Sequence, residues 1–532
     1  ICACLVGSEM CIRDRFYIYY VVGSLLGLNS CADLDITPAS SIDKDEFYRS
    51  AEDVESAVNG IYAIFTNWPS DFHGMYNNLT IYLGDITTEY VKAGANTNSA
   101  HIRELSNNAV QPANQFIENA WEESYIGINR ANIVIDKTEA NDRLDESIRD
   151  RYVNESKFLR ALFYFNIVRW WGDVPLVLHD GDGEGIPRTP RDSVYAQIVD
   201  DLEAASHLPE TFSGSTEGRA TAGAALATLS KVYLTWAQTD SEAGNSRRNE
   251  FYKKAIEYAD RVIALNKYRL VENTFDLFAT DKKNGPEHIF SIQHADLNNV
   301  TGHCTFATGW SDSEPVLITN NVRFYEEMDD ADQRKESSWA KRLYNPNTGE
   351  YFTFKVPLFR KYIDTINYAK NQYAGRNTNN VYIRYAEVLL IKAEAENELN
   401  GPTQTAYEAI NQVRRRAYRH FPITALSVHD LPAGLNQEEF RKRLQQERFN
   451  EFILEGQRWF DLVRWRILVS TVSQEKTGIT EKNYLFPIPA SQITLNPNLK
   501  QNWGYDGETS GSPYAGYKYC LLYTSPSPRD MR

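Results

Sequence analysis

The chain has 532 residues, carries a formal net charge of −15 at pH 7, and is 42% hydrophobic and 12% aromatic. This composition indicates a globular protein rather than a disordered one, and the acidic balance argues against nucleic acid as a ligand. No apolar run reaches the roughly 18 residues that a membrane-spanning helix needs.

The two ends of the chain look foreign to the rest. Residues 520–530, "CLLYTSPSPRD", can be encoded by a DNA whose opposite strand encodes "LVGSEMCIRD", residues 5–14. Two natural termini have no reason to be opposite strands of one DNA, and this DNA resembles the transposon end used in sequencing libraries. We therefore expect residues 1–15 and 520–532 to be a sequencing-adapter artefact.

A lipid-attachment signal is predicted next along the chain. Residues 16–28 are apolar and have the length of a signal-peptide core. The sequence Leu-Asn-Ser-Cys that ends at Cys31 resembles a bacterial lipobox, in which the cysteine is acylated. Residues 16–30 are therefore predicted to be a truncated lipoprotein signal peptide, and residues 31–44 a lipid anchor and polar tether. A buried first strand or helix with a chance cysteine is the alternative.

Most of the chain after the tether shows apolar residues at the 3.6-residue period of amphipathic helices. Small residues at the candidate crossing points suggest helical hairpins of the tetratricopeptide kind, with one unit at 219–265 and another at 382–417. The repeat does not run through the whole chain, so a pure solenoid is not predicted. The candidate helices are 51–65, 116–137, 147–171, 193–208, 218–237, 251–266, 381–399 and 406–417.

Two long stretches, 66–112 and 271–380, lack this helical period and are rich in Asn, Thr, Gly, Asp and aromatic residues. Loops of such length in a compact domain are usually functional. The second stretch also holds four metal-ligating residue types, but their spacing fits no zinc pattern and no second His/Cys cluster supports them. No metal or other cofactor is therefore predicted for the residues in question, which are His288, His294, His303 and Cys304.

The cysteines do not indicate a disulfide framework. With the artefact ends set aside, Cys31 and Cys304 are the only cysteines, so no disulfide framework is implied.

In residues 447–465, "ERFNEFILEGQRWFDLVRW", charged side chains are interspersed with large apolar ones. As a single helix, the segment would give each of several acids a basic neighbour three residues away. A glycosidase needs one acid with a raised pKa, and an adjacent arginine has the opposite effect. We therefore predict a buried structural network rather than a catalytic pair, formed by Glu447, Arg448, Glu451, Glu455, Arg458 and Asp461.

This segment resembles the C-terminal signature of the SusD/RagB family of nutrient-binding lipoproteins from Bacteroidetes. That signature runs from a Glu-Arg pair through Glu-Leu-x-x-Glu-Gly and an aromatic pair to Asp-Leu-x-Arg-Trp. This sequence departs from it at Phe449-Asn450, where the family is often more basic, and at Gln457, where His is common. Further matches span about residues 45–505, and include 51–65, "RWWGDVPLV" at 169–177, "GRATAGAALATLSKVYL" at 218–234, 385–400, 410–417 and "YLFPIPASQITLNPNLKQNWGY" at 484–505.

The resemblance implies an all-α fold of tetratricopeptide-like hairpins, with long irregular loops forming a ligand-binding face. The implied halves are 45–270 and 271–505. Such proteins are lipid-anchored on the extracellular face of the outer membrane, where they act as lids on SusC-like TonB-dependent transporters. They bind oligosaccharides, or peptides in some branches, and do no chemistry. A glycan-capturing lipoprotein is therefore the expected function; peptide capture and a helical glycoside hydrolase are the alternatives.

The ligand-binding residues are expected among the aromatics of the two non-helical stretches. A sugar ring stacks its C–H face on a flat exposed aromatic ring, while nearby amide and carboxylate groups bind the hydroxyls. Trp310 lies between Gly309 and Ser311, where no periodic helix would bury it, although it could also fill a small core of its own loop. The candidates are Trp310, Tyr90, Trp68 and Tyr76.

Overall fold

A computed structural model describes residues 47–66, 74–95, 97–182, 185–239, 245–294, 317–345, 349–363 and 378–506. Residues Arg49–Arg532 form a unit of their own, and every element described below belongs to it. No helix in the described ranges is both long and apolar enough to cross a membrane.

Sixteen α-helices and six strands are described, besides a few short 3-10 and π turns. The helices are α1 Ala51–Phe65, α2 Thr80–Gly84, α3 Ala100–Ser106, α4 Gln115–Glu139, α5 Glu146–Trp171, α6 Arg191–Ala205, α7 Ala222–Thr239, α8 Asn245–Ala264, α9 Arg323–Glu326, α10 Gln333–Ser338, α11 Tyr385–Asn400, α12 Gln404–Ala417, α13 Gln437–Glu451, α14 Arg458–Arg464, α15 Leu468–Val472 and α16 Ala490–Leu495. The strands are β1 Val91–Ala93, β2 His288–Ile292, β3 Leu317–Thr319, β4 Trp339–Asn345, β5 Glu350–Phe359 and β6 Asn380–Arg384.

The long helices pack in sequence order, each against the next. Helix α4 packs against α5, α5 against α6, α6 against α7, and α7 against α8. Helix α8 then packs against α11, across the predicted boundary between residues 270 and 271, and α11 packs against α12. Side-chain caps define where several of these helices begin; Ser50 and Asp53, for example, form a capping box at the start of α1. The predicted all-α class with paired helices is confirmed.

Helix α5 lies at the centre of this array. Every residue from Phe158 to Trp171 is buried, because α4 covers one side and α6 the other. At the α4 crossing, a Cβ on Gly127 would lie 2.3 Å from the ring of Phe163, so only glycine allows this approach. The buried Arg160 donates to both carboxylate oxygens of Asp201 at 2.7 and 2.8 Å, which fixes α5 to α6.

The two stretches predicted to be irregular contain more structure than expected. Strand β1 of the first stretch pairs with β3 of the second, with Val91 opposite Thr319. Strands β2 and β6 pair at the two ends of the second stretch, and β4 and β5 form a hairpin. Helices α2, α3, α9 and α10 also lie in these stretches. Strands β1, β2, β3 and β6 have only three to five residues, too few for the apolar alternation that would have identified them in the sequence.

The segment 447–465 is not the single helix predicted. Helix α13 ends at Glu451, a turn follows, and α14 begins at Arg458. Leu454 and Gly456 in the turn have φ values of 56° and 71°. This left-handed backbone is ordinary for glycine but uncommon for leucine, so other contacts must hold the turn.

Candidate functional site

A buried cluster of charged side chains lies where the helical array meets the short strands. Its central acid, Glu451, bonds three guanidinium groups: Arg384 at 2.5 Å, Arg334 at 2.8 Å and Arg416. Glu455 accepts from Lys361 at 2.7 Å and from Arg384 at 2.9 Å. The other members are Glu287, which bonds Arg384 and Arg416, and Glu447, which bonds Arg334 and Arg414.

The partners in this buried charge cluster differ from those predicted. The sequence suggested pairs three residues apart, but Arg448 instead bonds Asp461, thirteen residues on, at 2.9 Å. Arg458 bonds Glu89 at 2.7 Å, across 369 residues of sequence. The helix break explains this, because a turn between α13 and α14 removes the i, i+3 geometry that a continuous helix would have supplied.

The electrostatics of the cluster keep Glu451 and Glu455 ionised. Burial alone would raise the pKa of Glu451, but Arg416, Arg384 and Arg334 lower it well below its ordinary value. Burial is likewise outweighed at Glu455, where Arg384 and Lys361 lower the pKa. The acid of a glycosidase must hold a proton near neutral pH. Glu451 and Glu455 hold no proton near neutral pH, because their pKa values are lowered.

Asp85 is the nearby acid whose pKa moves the other way. Burial raises its pKa to about 7, although hydrogen bonds from Tyr90 and from the backbone of Gly456 oppose the rise. The Gly456 N–H donates to the carboxylate at 2.7 Å. A Cβ on Gly84, the neighbouring residue, would lie 2.4 Å from the carbonyl oxygen of Gly456, so the two backbones leave no room there for a substrate. Asp85 therefore stabilises the turn between α13 and α14.

Two of the four sequence-predicted ligand residues belong to the core. Tyr90 is fully buried, and its hydroxyl accepts from the backbone N–H of Leu454 at 2.9 Å. Tyr76 is 4% exposed, and its hydroxyl accepts from Asn166 on α5 at 2.9 Å. The expectation that these rings stack on a ligand at the surface is therefore wrong, because protein atoms already cover their faces. Trp310 and Trp68 lie outside the described residues.

The two stretches in which these candidates lie, 66–112 and 271–380, nevertheless contact each other. Asn380 donates to the backbone oxygen of Tyr76 at 3.3 Å, and its neighbour Asn379 accepts from the N–H of His294 at 3.0 Å. The ring centroids of Tyr76 and Tyr382 are 5.8 Å apart. Residues just after position 73, just before 295 and just after 377 are thus neighbours in space, although up to 304 residues separate them in sequence.

Sequence reasoning missed a pair of exposed aromatic residues on the β4–β5 hairpin. Tyr344 and Tyr351 are directly opposite each other across the two strands and are 48% and 59% exposed. The signal was present in "WAKRLYN" and "EYFTFKV", two runs of strand-forming residues that flank the turn-forming sequence Pro-Asn-Thr-Gly. It was overlooked because the whole stretch 271–380 had been assigned as irregular.

The histidines considered as metal ligands have other partners. His288 accepts from the Gly285 N–H through Nδ1 at 2.9 Å and bonds the carbonyl of Leu277 through Nε2 at 2.9 Å, so both ring nitrogens are occupied. Burial lowers the pKa of its imidazole. Within the part of the chain that the structure describes, no three His, Cys, Asp or Glu side chains form a group suited to a metal ion. His303 and Cys304 lie outside it.

Comparison with known proteins identifies the family. The family model described as SusD family matches residues 233–505, and a second, described as starch-binding associating with outer membrane, matches residues 34–234. The chain belongs to the SusD family.

Its relatives within that family are distant in sequence. A SusD-like protein of Formosa agariphila is 29% identical over 92% of this chain and 99% of its own. The starch-binding protein SusD of Bacteroides thetaiotaomicron is 23% identical over 76% of this chain and 81% of its own.

Solved structures share the fold. A SusD superfamily protein of Parabacteroides distasonis superposes with a TM-score of 0.72 at 25% identity, over 85% of this chain and 99% of that one. Surface glycan-binding protein A of Bacteroides thetaiotaomicron, solved in complex with laminarihexaose, gives a TM-score of 0.70 at 21% identity, again over 85% and 99%.

We predict that Glu455→Gln strongly destabilises the protein. The change keeps the shape but removes the charge that compensates buried Lys361 and Arg384, and breaking such a pair costs about 3–5 kcal/mol. Because the folded-state pKa of Glu455 is lowered, its stabilising effect is complete above the unfolded value of roughly 4.3 and is lost as pH falls through the folded one. Denaturant unfolding at pH 7 and near pH 3 should therefore show a difference between wild type and variant that shrinks in acid.

The matched control for this prediction is Glu438→Gln. Glu438 lies on the same chain segment, in α13, but pairs with Lys442 in an exposed i, i+4 bridge. Exposed pairs contribute little, so its loss should leave the unfolding midpoint unchanged. The structural role would be contradicted, and the catalytic one restored, if the wild type turned over a glycan and Glu455→Gln lost this activity while its stability stayed unaltered.

Proposed function

We propose that this protein captures an oligosaccharide at the outer face of the outer membrane and passes it to a SusC-like TonB-dependent transporter, without chemical change to the ligand. The observation that carries the proposal is membership of the SusD family over residues 233–505, extended by the outer-membrane starch-binding model over residues 34–234. A relative named starch-binding protein SusD and a structural neighbour in complex with laminarihexaose support a glycan as the ligand.

The buried charge cluster supports a binding role over an enzymatic one. Glu451 and Glu455 are among the acids that the sequence offered to a glycosidase, and two or more cations lower the pKa of each. Retaining and inverting glycosidases both need a carboxyl group that donates a proton to the leaving oxygen. Glu451 and Glu455 are deprotonated and covered by protein, so they cannot supply that proton.

The ligand surface is proposed to lie beside the meeting point of the two stretches. Asn379, Asn380 and His294 bring the described borders of these stretches together. The Asn379 and Asn380 side chains are themselves buried and bonded to protein atoms, so they hold this border together and the ligand contacts are proposed to come from residues beside it. Trp310 and Trp68 remain predictions from the sequence, and they are the residues whose aromatic faces we expect to stack on sugar rings.

The function is tested by a glycan array followed by an assay for reducing ends. We expect the protein to bind at least one class of oligosaccharide and to release no new reducing ends from it during prolonged incubation. A peptide library run in parallel distinguishes the peptide-binding alternative. Binding to peptides alone, or a steady increase in reducing ends, would contradict the proposal.

For the ligand residues, we expect Trp310→Ala to weaken glycan binding roughly fivefold to tenfold and to change the unfolding free energy by less than about 1 kcal/mol. Calorimetric titration against the best glycan from the array measures the first, and denaturant unfolding the second. Tyr90→Phe is the control, since it removes the hydroxyl bonded to Leu454. It should lower stability and leave affinity unchanged. Equal affinities for Trp310→Ala and wild type would remove Trp310 from the site.

Attachment to the membrane is proposed to occur through acylation of Cys31, which lies outside the described residues. The protein is to be expressed behind a complete lipoprotein signal peptide, with Cys31→Ser as the variant. A single acyl chain gives only marginal membrane binding and two or more hold stably, so the wild type should fractionate with membranes and the variant should not. A variant that stays with the membrane fraction would exclude the lipid anchor.

A further inference from the structure

The β4–β5 hairpin presents a polar, aromatic surface that the fold does not use. Tyr344 and Tyr351 face each other with ring centroids 5.2 Å apart and an interplanar angle of 55°. Arg342, two residues before Tyr344 and thus on the same face of the strand, places its guanidinium carbon 4.6 Å from the Tyr351 ring centroid. All three side chains are exposed, so ring faces and guanidinium edges are open to solvent.

The base of the hairpin, in contrast, is firmly built into the protein. Trp339 and Phe359, opposite each other at the start of β4 and the end of β5, are fully buried. The Trp339 indole N–H donates to Thr319 of β3 at 3.2 Å. The exposed aromatic residues therefore project from a fixed support, and the fold does not depend on them for burial.

The charge of the hairpin is opposite to that of the whole protein. Its strands carry Lys341, Arg342 and Lys355, all exposed, against the single acid Glu350. Among the described residues none of these three cations forms an ion pair, whereas exposed Lys442 on α13 pairs with Glu438. In a chain of net charge −15, an uncompensated cationic surface attracts anions that the rest of the molecule repels.

We propose that this hairpin surface is a subsite for an anionic oligosaccharide, one that carries uronate carboxylates or sulfate esters. Tyr344 and Tyr351 stack against sugar faces, as aromatic rings do in carbohydrate sites. Arg342, which lies beside the Tyr351 ring, binds a carboxylate or sulfate through the N–H groups of its guanidinium. Lys341 and Lys355 add attraction at longer range. The inference rests on the proposed glycan-binding function and adds the charge class of the ligand.

The test compares three probes on the full chain: a hexagalacturonate for the uronate, a sulfated carrageenan oligosaccharide for the sulfate ester, and neutral laminarihexaose. Calorimetric titration at low and high salt gives the affinities. We expect Arg342→Gln to weaken binding of one anionic probe about tenfold and to reduce its salt dependence. The double variant Tyr344→Ala/Tyr351→Ala should weaken the same probe about tenfold through lost stacking, at either salt concentration.

Two control variants separate a site from a general effect of charge or surface aromatics. Arg443→Gln removes an exposed arginine on α13, and Phe421→Ala removes an aromatic ring that is 40% exposed in the α12–α13 connection. Both should bind the anionic probe as the wild type does. Circular dichroism of all variants should be unchanged, because none of the substituted side chains is buried.

The possible outcomes separate this inference from the function on which it rests. Wild-type binding to an anionic probe, weakened by the hairpin variants and not by the controls, supports the subsite. Binding that only the neutral probe shows, or anionic binding equally affected by Arg443→Gln, overturns the subsite and leaves glycan capture intact. If the wild type binds no glycan of either class, the proposed function itself fails.

Discussion

The shared hydrogen bonds of Arg384 are the interaction on which the rest of the structure depends. This one buried guanidinium bonds Glu287 and, 164 residues further along the chain, the neighbouring acids Glu451 and Glu455. Removing such groups from water costs several kcal/mol for each ion, so the cluster is stable only when all its members are assembled. Because Arg384 is the last residue of β6 and directly precedes α11, assembly of the cluster joins the strands of the irregular region to the helical array.

The helix break after Glu451 is a consequence of the same requirement. On a continuous helix, Glu455 would follow Glu451 on one face, and its position would be fixed by the helix alone. In the turn, Glu455 instead bonds both Arg384 and Lys361. The turn needs left-handed backbone at Leu454 and Gly456, and the N–H groups of these two residues donate to Tyr90 and Asp85. Tyr90, the aromatic residue that sequence reasoning assigned to the ligand, is thus part of the support of the charge cluster.

The sequence predicted what depends on local periodicity. Helices such as α1, α4 and α12 follow from apolar spacing and caps. An arginine neighbour was also expected to lower the pKa of Glu451, but the arginines that do so are Arg416, Arg384 and Arg334, which are distant in sequence. The ion-pair partners could not be predicted, since Glu89 and Arg458 are 369 residues apart and only the folded chain brings them together. Four of the described strands escaped notice because elements of three to five residues show too little alternation. The exposure of Tyr344 and the burial of Tyr90 depend on tertiary packing, which composition does not reveal.

Arg384 and Arg342 show how one residue type takes two roles in the same protein. Arg384 is buried and surrounded by carboxylates, so its donors are committed and its charge is neutralised locally. Arg342 is exposed beside Tyr351 and no described acid neutralises it, so its charge acts on the solvent. Buried ion pairs contribute little to the field outside the molecule, so exposed residues largely set it, and the chain as a whole carries a net charge of −15. Selectivity for a charged ligand therefore has to come from local exceptions to the net charge, and the β4–β5 hairpin is such an exception.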